Sequence, residues 1–154
     1  MKTWTQAMRD SVAAGKLAGL ATAATAALCG KVELDNAVAP LNAVSHIVWG
    51  EEAFGADTAS LKYTLMGLVL NDAANGSWAA IYEVLFGEAA DDGKVAPALL
   101  GGALVAGGAY VIDYYLVPKR LTPGLEKRLS ARSLLAVYAA LALSLGIGGV
   151  WRRS

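Results

Sequence analysis

Four ionisable residues lie in or beside apolar stretches where water is scarce: His46, Asp72, Glu83 and Asp113. Asn42, Asn71, Asn75, Tyr82, Tyr110 and Tyr114 lie in the same stretches and are candidate hydrogen-bond partners. An ionised side chain near a bilayer centre costs about 2.5–3.5 kcal/mol on insertion scales, so an acid within a span marks a functional-site candidate. Asp72 lies nearest the middle of its segment and is the candidate proton-carrying group, with Asn71, Asn75 and Tyr110 along its path. The structural alternative is a hydrogen-bonded pair holding two helices together. Glu83 and Asp113 lie nearer segment ends, where headgroup exposure explains an acid cheaply. If both face inward, the neighbouring tyrosines make a polar, aromatic-lined pocket.

His46 is the only histidine, and a metalloenzyme reading finds little around it. Di-metal carboxylate bundles use paired Glu-x-x-His elements, and the chain has none. Axial haem ligation by His46 has no supporting motif. Cys29 stands alone, excluding an internal disulfide and a multi-thiolate site. We expect no cofactor, metal or haem. A membrane-embedded enzyme would have to work with His46 and Glu51 or Glu52 at the interface. No phosphate loop, dinucleotide fingerprint, nucleophile elbow or thiol pair is present.

The elements that position these residues follow from composition. Of the 154 residues, 56% are apolar and only 17% charged, against about 45–50% and about 25% in soluble domains. The apolar residues gather in blocks near the roughly 20 residues that cross a bilayer core. The pattern predicts an all-α polytopic membrane bundle, a single domain with spans at about 11–29, 61–87, 95–117 and 133–150. A short interfacial or re-entrant helix is expected at about 40–50, opening at Pro40 and anchored by Trp49. Asp10 and Lys16 interrupt the amino-terminal apolar run, so a cleaved leader is not expected.

Small residues recur every four positions. Gly15, Gly19, Ala23 and Ala27 form one stripe, Ala98, Gly102 and Ala106 another, and Ala136, Ala140, Ser144 and Gly148 a third. Such stripes let helices approach closely in lipid, making Gly15, Gly19, Gly102, Ala106, Ala140 and Gly148 the expected helix-packing positions. Gly101-Gly102 and Gly107-Gly108 lie inside an apolar span and are packing residues too. Asn71–Ser77 is a potential break, yet Leu68, Asp72, Asn75, Ala79 and Glu83 share one helical face, so a continuous helix is expected. Leu125–Arg132 should lie as an amphipathic piece on anionic headgroups, and Trp151-Arg152-Arg153 should anchor the last span.

Net charge is zero, and no basic field points to nucleic acid. Sign is segregated, with eleven acids and two bases between Glu33 and Asp113, and five bases with one acid from Lys119 to Arg132. Four spans leave the positive-inside rule close to a tie. A three-crossing version with 61–87 re-entrant obeys that rule better.

Asn42-Ala-Val-Ser-His-Ile-Val-Trp-Gly50 and Tyr110-Val-Ile-Asp-Tyr-Tyr-Leu-Val-Pro-Lys-Arg-Leu-Thr-Pro-Gly124 resemble stretches of uncharacterised small bacterial inner-membrane proteins. The resemblance implies a multi-pass inner-membrane location and transfers no activity. Three functions remain open: a structural or accessory subunit docking through its small-residue stripes on a protein partner or on copies of itself, a small proton-coupled transporter or permease titrating at Asp72, and the His46 enzyme.

Overall fold

The structure, a computed structural model, describes residues 1–152, so Arg153 of the expected anchor lies outside the described residues. Every element among them is helical. The long helices are α1 (Trp4–Leu34), α4 (Met66–Asp91), α5 (Val95–Val111, continued by a π-helical turn Ile112–Leu116) and α6 (Ala131–Trp151). Short helices α2 (Val38–Val44) and α3 (His46–Trp49) lie between α1 and α4. Three segments are long and apolar enough to cross a membrane: Trp4–Leu34, Val95–Leu116 and Ala131–Trp151.

α1 runs beyond the expected 11–29 at both ends. Thr3 and Gln6 form a capping box at its start, satisfying amide hydrogens that a helix end otherwise leaves free. Asp35 stops it in the left-handed region at φ 53°. α2 starts before Pro40 because the Asn36 side-chain oxygen accepts from the amides of Val38 and Ala39 at 3.1 and 3.0 Å. α4 passes through Asn75-Gly76 without a break, and a second π-helical turn, Leu61–Leu65, leads into it.

The four long helices run antiparallel, up and down. α1 meets α4 at Gly15 against Gly76 and at Gly19 against Asp72. α4 meets α5 where Phe86 covers Gly101, α5 meets α6 at Gly102 against Ala142, and α6 returns to α1 at Gly148 against Ala14. A side chain added at Gly101 or Gly102 would collide, and one at Gly15, Gly19 or Gly148 would be tight. A Cβ on Gly102 would overlap the Ala142 carbonyl, and one on Gly148 would lie 3.2 Å from the Ala14 Cα. Gly15, Gly19, Gly102, Ala106 and Gly148 are buried and Ala140 is half-buried. The stripes are therefore used within the chain. The core between them is built of alanines with Tyr82, Val105, Tyr138, Leu141 and Leu145. Leu20, Leu28, Val69, Leu85, Leu100, Leu104, Leu135 and Leu143 face outward.

A cap of α2, α3 and two connections closes the end opposite the termini. Asn42 stitches it: its Nδ2 donates to the carbonyls of Ala56 and Thr58 at 2.9 and 3.0 Å, and its Oδ1 accepts from Thr64 at 2.5 Å. Leu125 and Leu129 do not lie out on a headgroup layer. They are buried against Ala26, Val44, Leu134 and Val137, while Arg128 pairs with Asp57 at 2.9 Å.

Candidate functional site

The polar residues singled out above fall into three places. At the terminal end, Glu83 has no exposed surface and is held by two cations, Lys2 Nζ at 2.7 Å and Arg152 Nη1 at 2.7 Å. Lys2 also reaches Asp10 at 3.0 Å and Asp91 at 2.8 Å, and Arg152 bonds to Asp91 and to the Asp10 carbonyl. Glu83 is thus fully interior, contrary to the cheap headgroup explanation. Arg152 turns inward instead of anchoring at the interface. Burial works against the Lys2 ammonium, but hydrogen bonds to Asp91, Glu83 and Asp10 outweigh it and hold its pKa above the ordinary lysine value. The Arg152 guanidinium is raised by the same balance, against burial and through Glu83 and Asp91.

Midway along the bundle, Asn71 and Asn75 turn inward and Asp72 does not. Asn71 donates to the Gly19 carbonyl at 3.0 Å, and both amides approach the Thr22 hydroxyl, at 3.2 Å from Asn71 and 3.1 Å from Asn75. With Asp113 and Tyr138 they line a partly open cavity of about 100 Å³, room for a few waters at about 30 Å³ each. Asp113 accepts from the Tyr138 hydroxyl at 2.6 Å and has no cation within 4 Å among the described residues. Asp72 sits on the outer edge of α4, its side chain 41% exposed, paired with Lys16 at 2.5 Å. The expected face from Leu68 to Glu83 is buried only from Asn75 onward.

At the cap end, the two stretches singled out by resemblance lie against each other. Arg120 donates from Nε to the Ile47 carbonyl at 3.0 Å and from Nη2 to the Val48 carbonyl at 3.2 Å, satisfying acceptors that a helix end leaves free. His46 Nδ1 lies 3.0 Å from the Ala43 carbonyl and Nε2 lies 3.4 Å from that of Lys119. A neutral imidazole has one N–H, so it can donate to only one of them. Gly124 passes close by at φ 82°, where a Cβ would come within 2.6 Å of His46 Nδ1. Beside this seam is a cavity of about 550 Å³ lined by His46, Glu51, Phe54, Tyr114, Lys119, Arg120 and their neighbours Thr122, Glu126 and Lys127.

Tyr110, Tyr114 and Tyr138 form an aromatic cluster between the last two places, with ring centroids 5.1–6.0 Å apart. Asp113 and Tyr114, adjacent on the π-helical turn, line different cavities. π-helical turns are frequent at functional sites, and both of this chain's lie at the cap end. Glu51 shares the His46 cavity, whereas Glu52 is turned to Lys62 at 2.8 Å.

Sequence reasoning missed Lys2, Arg152, Tyr138 and Glu126 as site residues. Lys2 and Arg152 reach Glu83 across 81 and 69 residues, and no local pattern signals such pairings. Tyr138 stands alone in an apolar span, a signal that could have been read as it was for Tyr110. No family model matches the chain, and no curated protein or solved structure matches it significantly.

Proposed function

We propose that this chain is a small integral membrane protein with four crossings that serves as a structural or accessory subunit of a membrane assembly, in the bacterial inner membrane that the resemblance implies. The observation that carries this reading is the up-and-down bundle with apolar residues on the outer face of every long helix. α4 lies between α1 and α5, antiparallel to both, so a bilayer holding those two helices holds α4 as well. The acids of α4 do not oppose this: Glu83 is neutralised by Lys2 and Arg152, and Asp72 by Lys16.

Because the buried glycines are used inside, association falls to the small residues left outside. A Cβ on Gly76, Gly107 or Gly108 would meet nothing within 4 Å, so Gly107 and Gly108, expected as packing residues, pack against no helix of this chain among the described residues. Gly76 lies in an open groove between α1 and α4 with Trp4, Met8 and Val12, and Gly107 in another between α5 and α6 with Ala103, Leu135 and Ala139. The test is purification in mild detergent of wild type, Gly76→Leu and Gly107→Leu. The reading expects a stoichiometric partner or a discrete homo-oligomer that at least one variant loses at unchanged thermal stability. A clean monomer in all three overturns it.

A second reading, a proton-coupled permease, shifts from Asp72 to Asp113. Asp113 lines the partly open cavity beside Asn71 and Asn75, with no cation within 4 Å among the described residues. In proteoliposomes this reading expects a proton flux that Asp113→Asn abolishes and Asp72→Asn leaves intact, and equal flux in empty vesicles rejects it.

A further inference from the structure

We infer that the cap-end cavity binds a zwitterionic headgroup carrying a phosphate and a primary ammonium, the phosphoethanolamine group of a membrane lipid. The cavity keeps opposite charges apart. Lys119 and Lys127 have no carboxylate within 4 Å among the described residues, and Glu51 and Glu126 have no cation within that distance, although all four line the same space. Glu51, Lys119 and Lys127 are exposed and can be met by water, whereas Glu126 is half-buried and is the charge that most needs a partner. A ligand bearing both charges completes both sets.

Two buried atoms narrow the chemistry further. Among the described residues Glu126 Oε2 is buried without a hydrogen-bond partner, which is costly, and the buried Tyr114 hydroxyl has only the Tyr138 hydroxyl beside it, in poor hydrogen-bond geometry. Glu126 Oε1 already accepts from Thr122 at 3.0 Å, so Oε2 is the atom left for a donor. Tyr114 offers an O–H to an acceptor. An ammonium with N–H bonds answers Oε2, and phosphate oxygens answer Tyr114, Lys119 and Lys127. Phosphatidylcholine cannot meet Oε2 because its quaternary nitrogen has no hydrogen, and phosphatidylglycerol offers Oε2 only neutral hydroxyls, which lack the charge assistance of an ammonium.

The volume, about 550 Å³, lies within the roughly 300–1,000 Å³ of small-molecule sites. The lipid source follows from the surroundings. Tyr115 lines the cavity and is 72% exposed, Leu116 beside it is 70% exposed, and both end an apolar helix long enough to cross a bilayer. Acyl chains leaving the cavity would run along that helix. This inference needs the membrane location and is independent of whether the chain joins an assembly.

The experiment is lipid retention by the full chain in detergent, read by native mass spectrometry. Wild type, Glu126→Gln, Tyr114→Phe and Lys119→Ala are each offered phosphatidylethanolamine, phosphatidylglycerol and phosphatidylcholine of equal chain length. A parallel arm offers soluble phosphoethanolamine as competitor. We expect wild type to prefer phosphatidylethanolamine over both other lipids by about tenfold, the change that one good interaction confers. Glu126→Gln should erase the preference over phosphatidylglycerol, and Lys119→Ala should weaken retention of all three lipids, since each carries a phosphate. Tyr114→Phe, which removes the hydroxyl offered to the phosphate, should weaken retention of all three lipids. Competition by soluble phosphoethanolamine at equal concentration supports the headgroup chemistry with a soluble source. Equal retention of the three lipids, or a preference that survives Glu126→Gln, overturns the inference.

Discussion

Lys2 Nζ lies 2.7 Å from Glu83 Oε2, joining the amino-terminal residues to the interior of α4 across 81 positions of sequence. With Arg152 on the other carboxylate oxygen, this contact ties the two ends of the chain to one buried acid.

Removing one partner of a buried ion pair typically costs about 3–5 kcal/mol, because the remaining charges are left unpaired. Glu83→Ala should therefore lower the thermal stability of the detergent-solubilised protein by a comparable amount. Asp72→Asn removes a half-exposed pair and should cost about 0–1 kcal/mol. Equal effects in the two unfolding curves would contradict the burial described above.

The same cluster has a pH signature. The folded-state pKa of Lys2 is raised above its ordinary 10.5, so its contribution is fully present below that value and disappears as pH rises through the higher folded-state pKa. Melting temperature should fall more steeply above about pH 10.5 in wild type than in Lys2→Met, which has no ammonium to lose. Parallel curves for the two proteins would show that Lys2 does not couple to folding.

Gly124 combines φ 82° with a close approach to His46 and to the Ala43 carbonyl. A residue held in a sparsely populated backbone region costs about 1–3 kcal/mol, so Gly124→Ala should loosen the cap and expose the 117–128 connection to protease. Gly55→Ala, with open space around it and no positive φ, is the matched control and should leave the digestion pattern unchanged.

Two tyrosines in contact should respond oppositely to loss of their hydroxyls. Tyr138→Phe takes from Asp113 its hydrogen-bond donor and should destabilise by about 1–3 kcal/mol, the cost of stranding a buried acceptor. Tyr114→Phe removes a buried hydroxyl that only abuts the Tyr138 hydroxyl in poor geometry and should be neutral or stabilising in lipid-free detergent. Calorimetric unfolding of the two variants distinguishes these outcomes.

The helical architecture was readable because its signals are local. The four-residue repeat of small side chains includes Gly15, Gly19, Gly102 and Gly148, which approach neighbouring helices closely, but not Gly67, which lies directly against the Leu41 carbonyl. The Asn71–Ser77 stretch shows where reading stopped. Adjacent helical residues are about 100° apart around the axis, so a modest rotation exchanges which of Asn71 and Asp72 faces inward. Both residues are polar, and nothing local distinguishes the two rotations. The stripes were equally ambiguous in purpose: glycine permits a close approach whether the neighbour is in the same chain or another. Packing within the chain claimed Gly15, Gly19, Gly102 and Gly148, leaving Gly76 and Gly107 on the outside.

By itself, then, the sequence determined the helical class, the apolar segments and the list of polar residues that apolar surroundings would make consequential. These follow from composition and from periods of a few residues. Only the tertiary structure decided that Glu83 is the buried, doubly paired acid, that Asp72 turns out to Lys16 and that Asp113 has no counter-ion among the described residues. It also brought the 42–50 and 110–124 stretches together around a cavity. Each of those outcomes depends on charges and helix faces brought together from opposite ends of the chain, and their pairing energies act only after the bundle has closed.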